Sequence, residues 1–297
     1  MSAATAATKI PAFDGPVSKR GDKDYPAHAY QYATTSEPVG TMEPAFILYP
    51  KGDTDVIKAI QYATANKLAI AVRTGNGHFL ILSVGGHQYC GVSSTNGSNI
   101  QLDMSEAYLD FEVDRSSLPV TVRTGIRLAG SINLFSLSLR DMNTKLKDEH
   151  LFVPTGQCSH VHVGGHVQTG GYGQLQRSFG MLARLFGEHV VQLEIITADG
   201  VKHVIKRGTA DERDKALFWA VLGGSPGNYG VLTHITLRVH RDEDHKQSRG
   251  FKALWPYSRD RLQRMLEVLV DMSIDTNLPA DFEYCVNLIS QKVTPGS

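Results

Sequence analysis

The sequence is short of cysteine, of long apolar runs and of net charge, and each shortage removes a class of protein. Three widely spaced cysteines in 297 residues (Cys90, Cys158, Cys285) form neither a disulfide framework nor a paired metal-binding pattern, so any cysteine that matters acts as a single thiol. The longest apolar stretch, Phe79 to Val84, is a strand's worth and far below the ~18 residues of a membrane span. The N-terminal segment through Arg20 has no hydrophobic core of a secretory signal. It reads as a tail and lead-in over residues 1–40, and the expected location is the cytoplasm. Thirty Lys+Arg balance thirty Asp+Glu, which argues against nucleic-acid or membrane-surface partners.

Glycine is in excess: there are 28, and half of them fall within residues 151–230. Around them the pattern predicts a βαβ unit. Phe46 to Tyr49 reads as a strand, Asp53 as the N-cap of a helix over Thr54 to Asn66, and Leu68 to Val72 as a strand running into Arg73. Ligands of such units gather at the carboxyl ends of the strands. Further strands are expected at Ile100 to Met104 and Val120 to Arg123, with helical spacing over Leu128 to Leu139. A hairpin over Val190 to Lys206 turns on Asp199-Gly200 as a tight type I′ turn. Asp211 caps a helix through Leu222, and Val231 to Val239 is a strand. Arg241 to Arg249 reads as a boundary, followed by a strand near Phe251 and a helix over Arg259 to Ile274.

Three segments have the composition of a cofactor site. The first joins Arg73-Thr74-Gly75 to Gly86-His87-Gln88-Tyr89, where glycines let backbone amides approach a ligand and His87 offers a nucleophile. The second runs from Pro154 to Gly173 and holds Cys158, His160, His162, His166 and five glycines in ten residues, more than a helix or strand tolerates. Neither a Walker A loop nor a dinucleotide fingerprint fits it. A structural loop, a cofactor loop and a metal site on His160, His162 and His166 are all open readings of this segment taken alone. The third, Gly223 to Val231, is a glycine turn between a helix end and a strand start.

Together and in this order the three segments resemble the FAD-binding domain of the vanillyl-alcohol-oxidase and p-cresol-methylhydroxylase (PCMH) superfamily, nearest its berberine-bridge-enzyme-like branch. The resemblance implies an α+β fold: a PCMH-type domain of two α+β subdomains over residues 41–242, then the start of an α/β substrate domain over 243–297. It implies FAD attached twice, through His87 to the flavin 8α-methyl group and through Cys158 to C6. By motif match, the cofactor-binding residues are Arg73, Thr74, Gly75, Gly86, His87, Tyr89, Cys158, Val163, Gly164, Gly165, His166, Gly170, Gly171, Tyr172, Gly173, Asn228, Gly230 and Val231. The implied activity is two-electron oxidation of an alcohol, sugar or secondary metabolite, with oxygen or another acceptor reoxidising the flavin. The catalytic base, a tyrosine or acid, belongs to the part of the substrate domain beyond this chain, so no catalytic residue is assigned. The alternatives are a metal-dependent enzyme using His160, His162 and His166, or an inactive, truncated FAD-binding fragment.

Two features depart from the family pattern: the length, since only the start of the substrate domain is expected here, and an interruption of the first motif. Asn76 to Gly85 interrupts the arginine motif, and removing these ten residues restores Arg-Thr-Gly-Gly-His-Gln-Tyr. The run is apolar where a cofactor loop is expected, and reads as an insertion foreign to it.

Overall fold

The structure, a computed structural model, describes residues 9–31, 40–74, 87–89, 91–109, 111–115, 121–124 (backbone), 137–179, 185–224 and 226–288. The first subdomain comprises β1 (Val17–Lys19), α1 (Tyr25–Ala29), β2 (Phe46–Leu48), α2 (Asp53–Asn66), β3 (Ile70–Arg73) and β4 (Ile100–Asp103). Its sheet has the order β1-β2-β4-β3, with β4 parallel to both β2 and β3. The expected βαβ unit is therefore present, its two strands separated by one other. Val56, Ala59, Ile60 and Ala63 bury the inner stripe of α2 against Phe46, Leu48, Ile100 and Leu102.

The second subdomain runs through β5 (Phe111–Asp114), β6 (Thr121–Thr124), α3 (Leu139–Asp148), β7 (Leu151–Phe152), α4 (Val163–Gln168) and α5 (Gln176–Phe179). It continues with β8 (Val190–Ile196), β9 (Lys202–Lys206), α6 (Glu212–Val221), β10 (Val231–Arg238) and β11 (His240–Arg241). The sheet β5-β6-β10-β8-β9 is antiparallel throughout, and β7 pairs with β11. Its core combines Leu193, Ile195, Leu232, Ile235 and Leu237 with Met142 and Leu146 of α3 and Val167 of α4. The last helix, α7 (Arg259–Ile274), matches its expected bounds. Among the described residues none after Val239 is buried.

Several local expectations change. Asp53 does not cap α2, because its carboxylate accepts from Tyr108 Oη (2.7 Å) and Lys202 Nζ (2.8 Å). Lys202 also pairs with Glu194 at 3.0 Å, so this network ties α2 to β8 and β9. The hairpin turn is a three-residue loop, not type I′. Thr197 N donates to Val201 O, Gly200 N donates to Thr197 O, and only Gly200 has positive φ (+78°). The described helix begins at Leu139, where Ser138 and Asp141 form a capping box; residues 128–136 of the expected Leu128 to Leu139 segment lie outside the described residues. No strand forms near Phe251, whose side chain is exposed. A strand there would need a paired edge to satisfy its backbone.

Gly230 joins the third glycine segment to β10 at φ +140°, and a Cβ there would lie 2.5 Å from Ile196 O. Gly230→Ala is expected to lower unfolding free energy by about 1–3 kcal/mol in urea titration, from backbone strain and overpacking together. An unchanged midpoint would show that β8 gives way freely.

Candidate cofactor site

The site is built from the end of β3 outward. Arg73 pairs in register with Asp103 on β4, and both side chains are sealed from solvent, at 1% and 0% exposure. Its guanidinium donates Nε to Asp103 Oδ2 at 2.8 Å and its two terminal nitrogens to the carbonyls of His28 (2.8 Å) and Tyr30 (3.0 Å). This arginine is spent on internal partners. It ties the end of β3 to β4 and to the end of α1.

Thr74 is the point where the first two segments meet. A Cβ on Gly164 would lie 2.9 Å from Thr74 Cγ2, and one on Gly165 would lie 3.3 Å from Thr74 Oγ1, so the first turn of α4 packs directly on this threonine. His162, the residue before α4, is buried and its Nδ1 donates to the Thr74 carbonyl. Burial lowers its pKa below the ordinary imidazole value, against the opposing effect of that hydrogen bond, and nearby His87 lowers it further. The residue read as one flavin anchor is therefore within electrostatic reach of the loop that carries the other.

Inside the second segment the glycines are explained by the protein's own packing. Gly156 N donates to His166 Nε2 at 3.0 Å, and a Cβ on Gly171 would meet that same nitrogen at 2.8 Å. Gly173 lies against Thr155, where a Cβ would be 2.0 Å from the carbonyl oxygen, and Gly170, at φ +89°, abuts Leu185. Desolvation pushes His166 down to about 4, so it is a neutral acceptor at pH 7. Val163 is buried in the second core, whereas Cys158 is an exposed free thiol and the Tyr172 ring is 83% exposed. Tyr89 is also exposed.

The third segment is tied in by Gln168, which sequence reading passed over. Its backbone carbonyl accepts from Gly224 N (3.1 Å), its Oε1 accepts from Gly227 N (3.3 Å), and its Nε2 donates to Gly164 O (2.9 Å). Gly227 also approaches Val72 of β3, closing the triangle between the segments. Val231 is buried against the first core, and Asn228 and Gly230 lead into it. Its position between two glycine turns was the available signal for Gln168, but only tertiary contact assigns its polar atoms.

Gly75, Gly86 and the interrupting residues 76–85 lie outside the described residues. Metal binding at His160, His162 and His166 is overturned. His162 is turned to Thr74 and His166 to Gly156, and among the described residues no group of three His, Cys, Asp or Glu side chains could hold a metal.

Residues 44–205, more than half of the chain, match the model of a family described as an FAD binding domain. The chain belongs to that FAD-binding domain family. It is similar to berberine bridge enzyme-like 12 of Arabidopsis thaliana, with 30% identity over 211 residues, 70% of this chain and 34% of that protein. It is 25% identical over 255 residues to the FAD-linked oxidoreductase pgmH of Aspergillus terreus, 86% of this chain and 44% of that protein. Among solved structures, 6-hydroxy-D-nicotine oxidase from Arthrobacter nicotinovorans shares 25% identity and a TM-score of 0.67, covering 90% of this chain and 50% of that one. The α+β fold of this FAD-binding domain is thus the PCMH type. The chain spans half or less of the length of each of these relatives. Among the described residues no helix is long and apolar enough to cross a membrane.

The residues present fit the cofactor. Thr74 meets Gly164 and Gly165 at the start of α4, and the Cys158 thiol and the Tyr89 and Tyr172 side chains are exposed, open to a bound group. Thr74 takes the space a side chain would fill at those glycines, so the residue after β3 and the start of α4 lie in direct contact.

Proposed function

We infer that this chain is the FAD-binding part of an oxidoreductase that holds its flavin through both His87 and Cys158. Its substrate would be a small alcohol, sugar or secondary metabolite, oxidised by two electrons, with oxygen or another acceptor taking them up. The observation carrying this reading is the convergence of the three glycine-rich segments on Thr74, α4 and Gln168. FAD, when bound, supplies the hydride-accepting ring that side chains lack.

The chain's own residues then have separable tasks. His87 offers an imidazole nitrogen and Cys158 a sulfur as the two attachment points. His162, with its Nδ1–H held by the Thr74 carbonyl, keeps the two loops in register. Thr74, Gly164 and Gly165 hold the first two segments in contact, and Tyr89 and Tyr172 supply aromatic walls. Gly170, Gly171, Gly173 and His166 shape the loop from behind. Arg73 ties the end of β3 to β4.

The test is acid precipitation followed by peptide mass spectrometry of protein expressed with FAD. Flavin is expected to remain with the polypeptide and to map to His87 and Cys158. Cys158→Ala is expected to retain flavin through His87, and the double replacement to release all of it. A colourless wild-type protein would defeat the proposal, and flavin lost completely in Cys158→Ala would defeat its two-anchor form.

A further inference from the structure

Residues 278–288 have no regular structure, yet several of them bond to the segment that follows the second glycine cluster. Two charged side chains do this reciprocally. The Glu283 carboxylate reaches across more than a hundred residues and accepts from Leu175 N (2.5 Å) and Ser178 N (2.9 Å). In return the Arg177 guanidinium donates to the carbonyls of Leu278 (2.8 Å), Pro279 (2.5 Å) and Phe282 (2.7 Å). Leu175 sits at φ +67°, a conformation unfavourable for a leucine, and the bond from its N–H to Glu283 supports that turn.

The clamp is connected to the candidate site. Between Leu175 and Arg177 lies Gln176, whose buried amide donates to Pro154 O (2.9 Å) and Gly171 O (3.3 Å). Those two carbonyls flank the loop in which Gly156 N meets His166 and from which Cys158 projects. A further contact reaches the neighbouring residue directly, where Gln157 Nε2 lies 3.6 Å from Cys285 Sγ.

We propose that residues 278–288 act as a strap that sets the position of the Cys158 edge of the cofactor site, with Glu283 and Arg177 as its positioning pair. They act through Gln176, and the proposal rests on the flavin-attachment reading above for its functional consequence. It makes attachment at Cys158, but not at His87, depend on a segment about 120 residues further along the chain.

Two measurements on the full chain decide it. In hydrogen exchange, Glu283→Ala is expected to speed exchange of amides 175–178 at least about tenfold, the loss of a charge-assisted hydrogen bond. In peptide mass spectrometry of protein expressed with FAD, Glu283→Ala and Arg177→Met are expected to reduce flavin on Cys158 several-fold and leave loading of His87 unchanged. Glu283→Gln keeps a carbonyl acceptor and is expected to restore part of both. Unchanged exchange overturns the strap, as does an equal fall at both anchors, which would mark a general loss of folding. If the wild-type protein carries no flavin on Cys158, the attachment reading fails and takes the functional part of the proposal with it; the exchange result then judges the clamp alone.

Discussion

Arg73→Leu is expected to destabilise the protein by about 3–5 kcal/mol, a large share of the roughly 5–15 kcal/mol that holds a typical domain together. The arginine and Asp103 are fully buried, and among the described residues the Ser105 N–H (3.0 Å) is the hydrogen bond Asp103 keeps once the guanidinium is gone. The carbonyls of His28 and Tyr30 lose their donors in the same step. An uncompensated buried carboxylate dominates the cost, so Arg73→Leu combined with Asp103→Leu should be less destabilised than the sum of the two single changes. Urea unfolding of all three variants measures this. A loss below about 1 kcal/mol for Arg73→Leu would show that water reaches the pair. Lysine is expected to be a poor substitute, because it cannot serve a carboxylate and two carbonyls from one planar group.

Acid is expected to unfold the protein through its histidines. His189 is 2% exposed, and neither ring nitrogen has a hydrogen-bond partner among the described residues. Burial, with His240, Arg238 and Arg207 acting alongside and Glu188 opposing, pushes it down to about 4. His240 is pushed to about 4 by burial and by His245 and Arg238. These rings pack with Phe152, Phe179 and His245 where β7 pairs with β11. In the unfolded chain an imidazole takes its proton near pH 6.5, so between about 6.5 and 4 the unfolded state binds more protons than the native one. Stability is therefore full above pH 6.5 and falls as pH drops toward 4, by about 3 kcal/mol for His189 alone. His189→Phe removes a group that must stay neutral and unpaired. Its melting temperature is expected to exceed that of the wild type at pH 5 and to be nearly equal at pH 8. Parallel pH curves for the two proteins would mean that His189 finds a proton-accepting partner in solution.

Much of the local structure is legible from residue types. Asp211 caps α6 through Arg213 N and Asp214 N, as its position before an amphipathic run suggests, and α7 keeps its predicted limits. Expectations failed where a distant partner claimed the deciding side chain. Asp53 looks like a helix cap but is drawn to Lys202, 149 residues away. Arg73 stands in a cofactor motif yet spends its charge on Asp103. The Asp199-Gly200 pair does mark a turn, but the extra loop residue follows from how Thr197 pairs with Val201.

The glycine cluster shows where pattern stops and tertiary structure begins. Composition and spacing alone predict a loop over residues 154–173, but Val163–Gln168 forms α4 with Gly164 and Gly165 in its first turn, so the glycines did not exclude a helix there; motif order points to a flavin-binding family. What the glycines are for is settled only by contact. Gly156, Gly171 and Gly173 admit His166 and Thr155, and Gly164 and Gly165 admit Thr74. The same holds for Gln168 and for the Arg177–Glu283 clamp, whose polar atoms have no period to betray them. Helices and strands are announced by local repetition, whereas a site is assembled from single polar atoms brought together by folding, and their pairing exists only in three dimensions.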